Sequence, residues 1–391
     1  MPENRRQFLQ SAAGITALSY GRVLGANDRI RIGGIGCGGR GKYLLGKALA
    51  VGGCEVVAAS DVYQPRIRQT QELAPGAKGY ADYRELLDRG DIDAVMIGSP
   101  DHWHVPMTID SIGAGKDVYV EKPISHTVEE GARMAKAAAE TKQVIQVGYQ
   151  QRSWEHFIHA RDLIRAGKLG RIALIETYWY QTFLSEPDGS GVNLGELDWK
   201  RWLGSAPGRP FDAGRFLAWR WFWDYGGGHL TDLFSHWGDT LHWIFDLGDP
   251  ISAQAAGGRY AHTFQECPDV MNAFWDYRDG FAIVYNGTQS CHLEGGGITL
   301  RGDKALMKLN RDGFTVYPEG VVPKEKTTYP EPEIRVRTIY DGALEHVRNF
   351  LNCVRSRNAP SSPIADAVTV ANVSHFGNRA YREGRRLKWT G

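Results

Sequence analysis

The stretch RIRIGGIGCGGRG, from Arg29 to Gly41, decides the fold. It begins as a short apolar strand and runs into a glycine-rich turn, in which the spacing G-x-G-x-x-G falls on Gly34, Gly36 and Gly39. In such a turn the first glycine allows the sharp bend and the second allows the backbone to approach a pyrophosphate. The third allows the next helix to pack against the strand. The motif alone is weak evidence in a chain with 47 glycines, so its meaning depends on the neighbouring segments of the chain.

A second strand supports a dinucleotide site. It runs from Glu55 to Ser60 and ends at Asp61, 22 residues after Gly39. A carboxylate at this distance is placed to accept hydrogen bonds from the ribose of an adenosine. It would repel a 2′-phosphate, so the sequence favours NAD over NADP. The simpler alternative is an aspartate that caps the following helix.

Strand and helix patterns continue to alternate up to about residue 150. Further strands are predicted at 93–99, 117–120 and 144–148, with helical segments between them. The segment 117–123, DVYVEKP, places Lys122 directly after its strand. Because parallel sheets bind ligands at the carboxyl ends of their strands, Lys122 is a candidate for chemistry. Residues 27–150 therefore predict an α/β domain with a doubly wound parallel sheet of the Rossmann type.

The remainder of the chain, 151–391, reads as a second α/β domain. A helix at 154–166 and a long alternating strand at 171–181 lead to another helix at 229–245. Short strands with short turns follow from residue 251 to residue 310, which predicts a large, mostly antiparallel open sheet. Helices are predicted at 344–356 and 365–382, where they could pack back on the first domain.

The first 26 residues differ from the rest. Paired arginines in NRRQFL, 4–9, precede a mildly apolar stretch and the small residues Gly25 and Ala26. This order is typical of a twin-arginine export signal, so we expect an exported, periplasmic protein. A short helix with two surface arginines is the alternative.

Composition narrows the range of partners. The 46 basic and 45 acidic residues nearly cancel, which argues against nucleic acid and against an anionic membrane surface as ligands. The sequence contains no run of about 18 apolar residues, so it predicts no membrane span. The five cysteines are scattered without C-x-x-C spacing, so neither a zinc site nor a disulfide framework is expected. A small neutral molecule fits this composition best.

Together the motifs resemble the Gfo/Idh/MocA oxidoreductases, and the resemblance extends over the chain after residue 28. The residues that carry it are the glycine-rich turn, Ser99 and Pro100 with His104, Glu121-Lys122-Pro123, and the glycines 226–228 followed by Asp232 and His236. It implies a Rossmann domain and a second α/β domain whose open sheet often mediates oligomers. It therefore implies a homo-oligomer that acts on a sugar or polyol.

The candidate catalytic residues are Lys122, Asp232 and His236. Asp232 and His236 are spaced i, i+4, which places both on one face of a helix, although such a pair is often only a surface contact. A carboxylate beside an imidazole fixes its tautomer and raises its basicity. The resemblance places Lys122 at the same cleft. We expect Lys122 and His236 to share the proton of a substrate hydroxyl while a hydride passes to nicotinamide, and the sequence leaves open which of them is the base.

Larger binding sets are also predicted, and the resemblance places Glu121 and His104 along the nicotinamide ribose. The cofactor set is Gly34, Gly36, Gly39, Arg40, Asp61, Ser99, Asp101, Trp103, His104, Glu121, Lys122 and Gln150. The substrate set is Arg152, Trp179, Tyr180, Arg220 and His229, with Trp221 and Trp223 as further candidates. His102 and His104 have metal-ligand spacing but no nearby acidic partner, so no metal site is predicted.

Export would deprive the protein of a free NAD pool, so we expect a tightly bound cofactor that is restored within the same site. One reaction that does this oxidises a sugar and reduces a second carbonyl compound, as in glucose-fructose oxidoreductase. Another oxidises a sugar transiently, eliminates its glycosidic bond and returns the hydride. The segment from Asp232 to His236 favours the first reaction. The glycosidase branch carries a tyrosine three residues before its histidine, where this chain has Leu233. A non-catalytic protein that only holds the cofactor is a third possibility.

Overall fold

The computed structural model describes residues 29–182, 185–278, 280–320, 329–338 and 340–390. The predicted export signal at 1–26 lies outside the described residues. Within them, no helix is long and apolar enough to span a membrane.

Among the described residues, six parallel strands form the first sheet, in the order β3-β2-β1-β4-β5-β6. They are β1 (Ile30–Ile35), β2 (Cys54–Ser60), β3 (Lys78–Tyr80), β4 (Ala94–Ile97), β5 (Asp117–Val120) and β6 (Ile145–Val147). The strand order reverses between β1 and β4, and such a reversal opens a crevice at the carboxyl ends of the strands. The predicted doubly wound parallel sheet is confirmed.

Helices connect the strands of this sheet and pack on it. They are α1 (Gly39–Val51), α2 (Gln64–Leu73), α3 (Tyr83–Leu87), α4 (His104–Gly113) and α5 (Val128–Ala139). Strands β4 and β5 are buried along their whole length, as expected for central strands covered on both faces.

In the part of the chain that the structure describes, nine strands form the second sheet, in the order β14-β13-β12-β11-β7-β10-β9-β8-β15. They are β7 (Ile172–Tyr180), β8 (Ser252–Gly258), β9 (Val270–Asp276), β10 (Ala282–Thr288), β11 (Gly296–Gly302), β12 (Ala305–Asn310), β13 (Gly313–Pro318), β14 (Ile334–Arg337) and β15 (Leu387–Lys388). Strands β7 and β10 pair in parallel, and the other described pairs are antiparallel. The predicted mostly antiparallel sheet is confirmed.

The remaining helices belong to the second half of the chain. They are α6 (Glu155–Arg165), α7 (Trp199–Leu203), α8 (Ala213–Leu217), α9 (Ser235–Phe245), α10 (Ala343–Ser356) and α11 (Ile364–Glu383). A π-helical turn at His229–Phe234 leads directly into α9. Short 3-10 turns lie at Asp101–Trp103, Gln150–Ser153, Leu194–Glu196 and Trp219–Trp221.

The last long helix joins the two hydrophobic cores. Val368 and Val370, nearer the start of α11, pack into the core of the parallel sheet, whereas Val373 and Phe376, further along it, pack into the core of the nine-stranded sheet. Helix α10 packs against α1, and its Phe350 is buried there. These contacts fix the crevice of the first sheet against the start of α9.

Candidate active site

The glycine-rich turn has a different register from the predicted one. Gly36 has φ +75°, and a Cβ there would lie 2.5 Å from the backbone nitrogen of Ser99. A Cβ on Gly41 would collide with the carbonyl oxygen of Gly36, so Gly41 is the glycine that lets α1 pack against the strand. A Cβ on Gly39 would meet no protein atom within 4 Å.

The predicted set of Gly34, Gly36 and Gly39 is therefore corrected to Gly36, Gly38 and Gly41. Both sets fit G-x-G-x-x-G, because the repeated glycines allow two registers. Gly34 lies inside β1 against the side chain of Leu45 and does not line the cavity beside the turn, whereas Gly36, Gly38 and Gly39 do.

Asp61 lies at the end of β2 and faces this turn. Its Oδ2 accepts a hydrogen bond of 2.8 Å from the Cys37 amide, and its Oδ1 accepts one of 2.9 Å from the Tyr63 amide. Each carboxylate oxygen keeps a further acceptor site for a ligand. Burial raises the pKa of Asp61, while Arg66, 3.8 Å away, opposes that rise.

Two cavities run from this turn to the second domain. The first, of about 270 Å³, is lined by Gly36, Gly38, Gly39, Asp61, Trp103 and Arg220, among others. The second, of about 210 Å³, is lined by Arg40, Ser99, His104, Glu121, Lys122, Gln150, Trp179, Arg220, Asp232, Leu233, His236 and Arg311, among others. Both include Arg40, Gly98, Ser99, Trp219 and Arg220, so they form one continuous groove.

Lys122 points from the end of β5 to the π-helical turn. Its Nζ donates hydrogen bonds of 2.7 Å to Oδ1 and 2.7 Å to the carbonyl oxygen of Asp232. Arg220 Nε donates to the same Oδ1 at 3.1 Å. Burial by itself raises the pKa of Asp232, but the charges of Lys122 and Arg220 outweigh it and lower that pKa to about 2. Asp232 is thus an anion that holds two cations at the groove.

His236 is the second residue of α9, directly after the π-helical turn. Its imidazole stacks on the indole of Trp179, with ring centroids 5.5 Å apart. Its Nδ1 is buried and has no hydrogen-bond partner in the described part of the chain. Burial, followed by the charges of Lys122 and Arg311, holds its pKa well below 6.5. The imidazole is therefore neutral at pH 7 and can accept a proton.

The expected pairing of Asp232 with His236 is corrected by these contacts. The carboxylate faces Lys122 and Arg220 rather than the imidazole. Asp232 lies in a π-helical turn, which is wider than an α-helical turn, so the i, i+4 rule does not bring the two side chains together. Both nevertheless line the same cavity as Lys122.

The other predicted cofactor residues divide into two groups. Glu121 accepts a hydrogen bond of 2.8 Å from Arg40 Nε and lines the second cavity with Gln150. The ring nitrogens of His104 lie 2.9 Å from the carbonyl oxygen of Ser99 and 2.6 Å from that of Pro123, and thereby join the loops after β4 and β5.

Asp101 and Trp103 lie on the 3-10 turn before α4. The Trp103 indole nitrogen donates to the carbonyl oxygen of Trp202 at 2.9 Å, and its ring lines the first cavity. Asp101 is buried behind the cavity wall, and burial raises its pKa well above the usual range. Asp101 lines neither cavity, so the structure does not place it among the residues that face the groove.

Of the predicted substrate residues, Trp179 and Arg220 line the second cavity, and the others do not. Arg152 is corrected to a structural residue, because its guanidinium is buried between Asp239 at 2.8 Å and Asp366 at 2.6 Å. His229 is corrected likewise, since its ring is buried.

The other predicted substrate residues contact protein groups outside the second cavity. The His229 ring nitrogens lie 2.9 Å from the Tyr285 hydroxyl and 3.1 Å from the carbonyl oxygen of Asp269. Tyr180 stacks on Tyr178 outside the cavity. Trp221 packs in a small hydrophobic core with Leu233, and the partly buried Trp223 packs against that core.

Arg311 is a cavity residue that the sequence does not predict. It lies in the turn between β12 and β13, and its guanidinium lies over the Trp179 ring at 4.9 Å. No motif surrounds it, and its place in the groove depends on the pairing of β12 within the second sheet. No group of three His, Cys, Asp or Glu residues suited to a metal ion occurs among the described residues.

Comparison with known proteins places two family models on the chain. A model of an oxidoreductase family with an NAD-binding Rossmann fold matches residues 30–149, and a model of the GFO/IDH/MocA C-terminal domain matches residues 157–308. Together they cover more than half of the sequence.

Curated relatives match over a shorter region. A 1-carboxy-3-chloro-3,4-dihydroxycyclohexa-1,5-diene dehydrogenase from Comamonas testosteroni is 32% identical over 49% of this chain and 51% of its own length. A glycosyl hydrolase family 109 protein from Shewanella sp. (strain ANA-3) is 29% identical over 43% of this chain and 44% of its own length. The chain thus spans about half the length of the curated relatives it matches.

Solved structures match over nearly the whole chain. The WlbA dehydrogenase from Bordetella pertussis, solved with NADH and UDP-GlcNAcA, aligns with a TM-score of 0.71 at 22% identity. The alignment covers 93% of this chain and 99% of that one. This likeness shows that the two proteins share a fold.

Proposed function

Because the chain belongs to the Gfo/Idh/MocA family of oxidoreductases, we propose that it moves a hydride between a sugar or polyol hydroxyl and a tightly bound NAD. The observation that carries this proposal is the convergence of Lys122 and His236 on one cavity, which is continuous with the cavity at the glycine-rich turn. The dinucleotide would lie along this groove, with its reactive end beside the two nitrogen groups.

The residues present fit NAD. Gly36 and Gly38 line the first cavity, and a Cβ on Gly38 would meet only the Arg66 side chain, at 3.8 Å, so the backbone there is open to a ligand. The amino end of α1 favours the negative charge of a pyrophosphate. Asp61 offers carboxylate acceptors at the adenosine end of the groove. When bound, NAD supplies the hydride acceptor.

His236 is the group we assign as the base. Its imidazole is neutral at pH 7 and its Nδ1 has no partner in the part of the chain that the structure describes. During oxidation the substrate O–H bond breaks, its proton passes to the imidazole, and the hydride leaves the same carbon. The alcohol thereby becomes a carbonyl group, and the proton and the two electrons are all accounted for.

Lys122 is the group we assign to stabilise the substrate oxygen. Two of its three N–H groups are directed to Asp232, which leaves one for the substrate. An ammonium beside an oxygen that loses its proton stabilises the developing negative charge. Asp232 acts through Lys122 and is therefore a positioning residue.

Glycoside cleavage by transient oxidation is the second candidate, favoured by the similarity to a glycosyl hydrolase family 109 protein. That reaction adds an elimination step, which requires a further acid or base near the sugar. Leu233 lines the cavity at the position where we expect a tyrosine in the glycosidase branch, and an apolar side chain cannot transfer a proton. The chain therefore fits net redox chemistry better.

We also propose that the protein is exported by the twin-arginine pathway to the periplasm and forms homo-oligomers. The paired arginines in 4–9 support export, and export of a folded protein fits a cofactor that stays bound. The large open sheet supports self-association. Fractionation of cells after Arg5→Lys/Arg6→Lys substitution, and light scattering of the purified protein, test these two points.

The proposed function is tested with purified protein and a panel of sugars, polyols and aryl glycosides. We expect the mass spectrum of the denatured protein to contain NAD, and the products to contain a ketone or lactone. Release of the aglycone without net oxidation would support glycoside cleavage instead. The absence of any product, with NAD retained, would indicate a binding protein.

A further inference from the structure

Among the charged side chains that line the second cavity, Arg311 is the one with buried donors that have no hydrogen-bond partner in the described part of the chain. Its Nε and Nη2 are inaccessible to solvent and have no hydrogen-bond partner there. A buried guanidinium without a partner is unfavourable unless a ligand supplies the missing negative charge. The site is therefore built for a group that the protein does not contain.

The other charges of the cavity are already paired. Arg40 forms an ion pair of 2.8 Å with Glu121. Lys122 and Arg220 share Asp232, at 2.7 Å and 3.1 Å.

This pairing leaves the lining with more cations than anions. Four of the charged side chains that line the cavity are basic, namely Arg40, Lys122, Arg220 and Arg311, and two are acidic, namely Glu121 and Asp232. Burial lowers the pKa of Arg311 only to about 10, so it keeps its charge at neutral pH. An anionic ligand would neutralise the excess.

Arg311 is close to the proposed base. Its guanidinium carbon lies 4.9 Å from the centroid of the Trp179 ring, and that ring lies 5.5 Å from the His236 ring. The guanidinium and the imidazole are therefore at most about 10 Å apart. A single sugar unit with an exocyclic acid group can contact both.

We propose that Arg311 binds a carboxylate of the substrate, so that the preferred substrates are sugar acids such as uronates rather than neutral sugars. This inference rests on the proposed function, because it names the substrate class of the same site. Arg311 lines the cavity and has no counterion among the described residues, so its guanidinium is the group that a substrate carboxylate would neutralise. A guanidinium can bind the two oxygens of a carboxylate in parallel, which favours a carboxylate over a single hydroxyl.

The test measures binding to the NAD-loaded full-length protein by calorimetry, with glucose and glucuronate, galactose and galacturonate, and glucose 6-phosphate. The variants are Arg311→Gln, Arg311→Lys and the control Arg301→Gln, which removes an arginine from the exposed Arg301–Glu176 pair on β11. A charge-assisted hydrogen-bond pair predicts a preference of about 10- to 100-fold for each uronate over its neutral sugar.

The variants separate charge recognition from general damage to the site. Arg311→Gln should weaken binding of each uronate at least about tenfold more than binding of its neutral sugar, and Arg311→Lys should restore part of the preference. Arg301→Gln should behave as wild type. If Arg311→Gln does not fold, the wild-type preference and the Arg311→Lys variant still decide the question.

Three results would overturn the inference. These are equal affinity for uronates and neutral sugars, equal loss of both in Arg311→Gln, and tighter binding of glucose 6-phosphate than of glucuronate. Arg311-dependent uronate binding without oxidation would refute the proposed function and leave this inference standing. Oxidation of neutral sugars with no uronate preference would do the reverse.

Discussion

Asp232 illustrates how one buried carboxylate can organise a site without touching the reacting atoms. It holds the ammonium of Lys122 and the guanidinium of Arg220, and these cations in turn lower its pKa to about 2. The sequence identifies all three residues as site candidates. It pairs Asp232 with the wrong neighbour, because spacing along one helix says nothing about the cations that strand and loop segments bring to that helix.

Arg152 and Arg311 also show that sequence spacing does not reveal the partners of a charged side chain. Arg152 follows the first domain in sequence and is predicted in the substrate site, but Asp239 and Asp366 surround it in the interior. Arg311 follows an ordinary strand and is not predicted there, although it lines the cavity. Whether an arginine is paired depends on acidic residues far away in sequence, which no local pattern reveals.

Arg152→Met should destabilise the fold rather than weaken substrate binding. The substitution leaves the carboxylate of Asp239, which is fully buried, without its cation, and loss of one partner of a buried pair costs about 3–5 kcal/mol. Urea denaturation measures this loss. The control Arg348→Met removes a half-exposed pair with Glu345 and should change the free energy of unfolding by less than about 1 kcal/mol. An unchanged stability with a raised KM would return Arg152 to the substrate site.

At the scale of elements, the order of strands and helices is predictable from the sequence, because each β-branched run and each glycine or proline break is a local signal. The parallel sheet and the long strand β7 follow from such signals. The π-helical turn at His229–Phe234 does not, since the i, i+4 spacing of apolar and polar residues predicts an ordinary α-helical turn there.

The glycine-rich turn offers the sharpest test at this scale. Gly41→Ala should destabilise the protein by about 1–3 kcal/mol or more, because the added methyl group would collide with the backbone carbonyl of Gly36. Gly39→Ala is the matched control, since its methyl group would meet no protein atom within 4 Å. Thermal unfolding of both variants distinguishes the two registers of the motif. Equal stabilities, or a larger loss in Gly39→Ala, would restore the register predicted from the sequence.

At the scale of the whole molecule, buried histidines couple stability to pH. Burial lowers the pKa of His102 to about 3, and that of His229, His242, His346 and His375 to about 4. Between pH 6.5 and pH 4 the unfolded chain therefore binds protons that the folded protein excludes. Stability should be full above pH 6.5 and fall as the pH decreases through this window.

Buried carboxyl groups oppose this trend, because burial raises the pKa of Asp61, Asp101 and Asp239, but the histidines outnumber them. We expect the unfolding temperature to fall steadily from pH 7 to pH 5 at constant ionic strength. Calorimetry at several pH values measures this slope. An unfolding temperature that stays constant, or that rises as the pH decreases from 7 to 5, would contradict the exclusion of protons from these histidines in the folded protein.

The two cores meet through α11, so the crevice of the first sheet and the start of α9 form one site. The central claim is that Lys122 and His236 act together at that site on a hydroxyl group. It implies that either side chain can be removed without loss of the cofactor, because neither shapes the glycine-rich turn or the contacts of Asp61.

The most direct test is a single turnover with NAD-loaded protein, followed at 340 nm, for wild type, Lys122→Met, His236→Ala and the exposed control Lys136→Met. We predict that all four proteins retain NAD by mass spectrometry. Lys136→Met should react as wild type does, whereas Lys122→Met and His236→Ala should each slow hydride transfer by at least about 100-fold. A near-normal rate in either of these two variants, with NAD bound, would contradict the joint action of the two side chains.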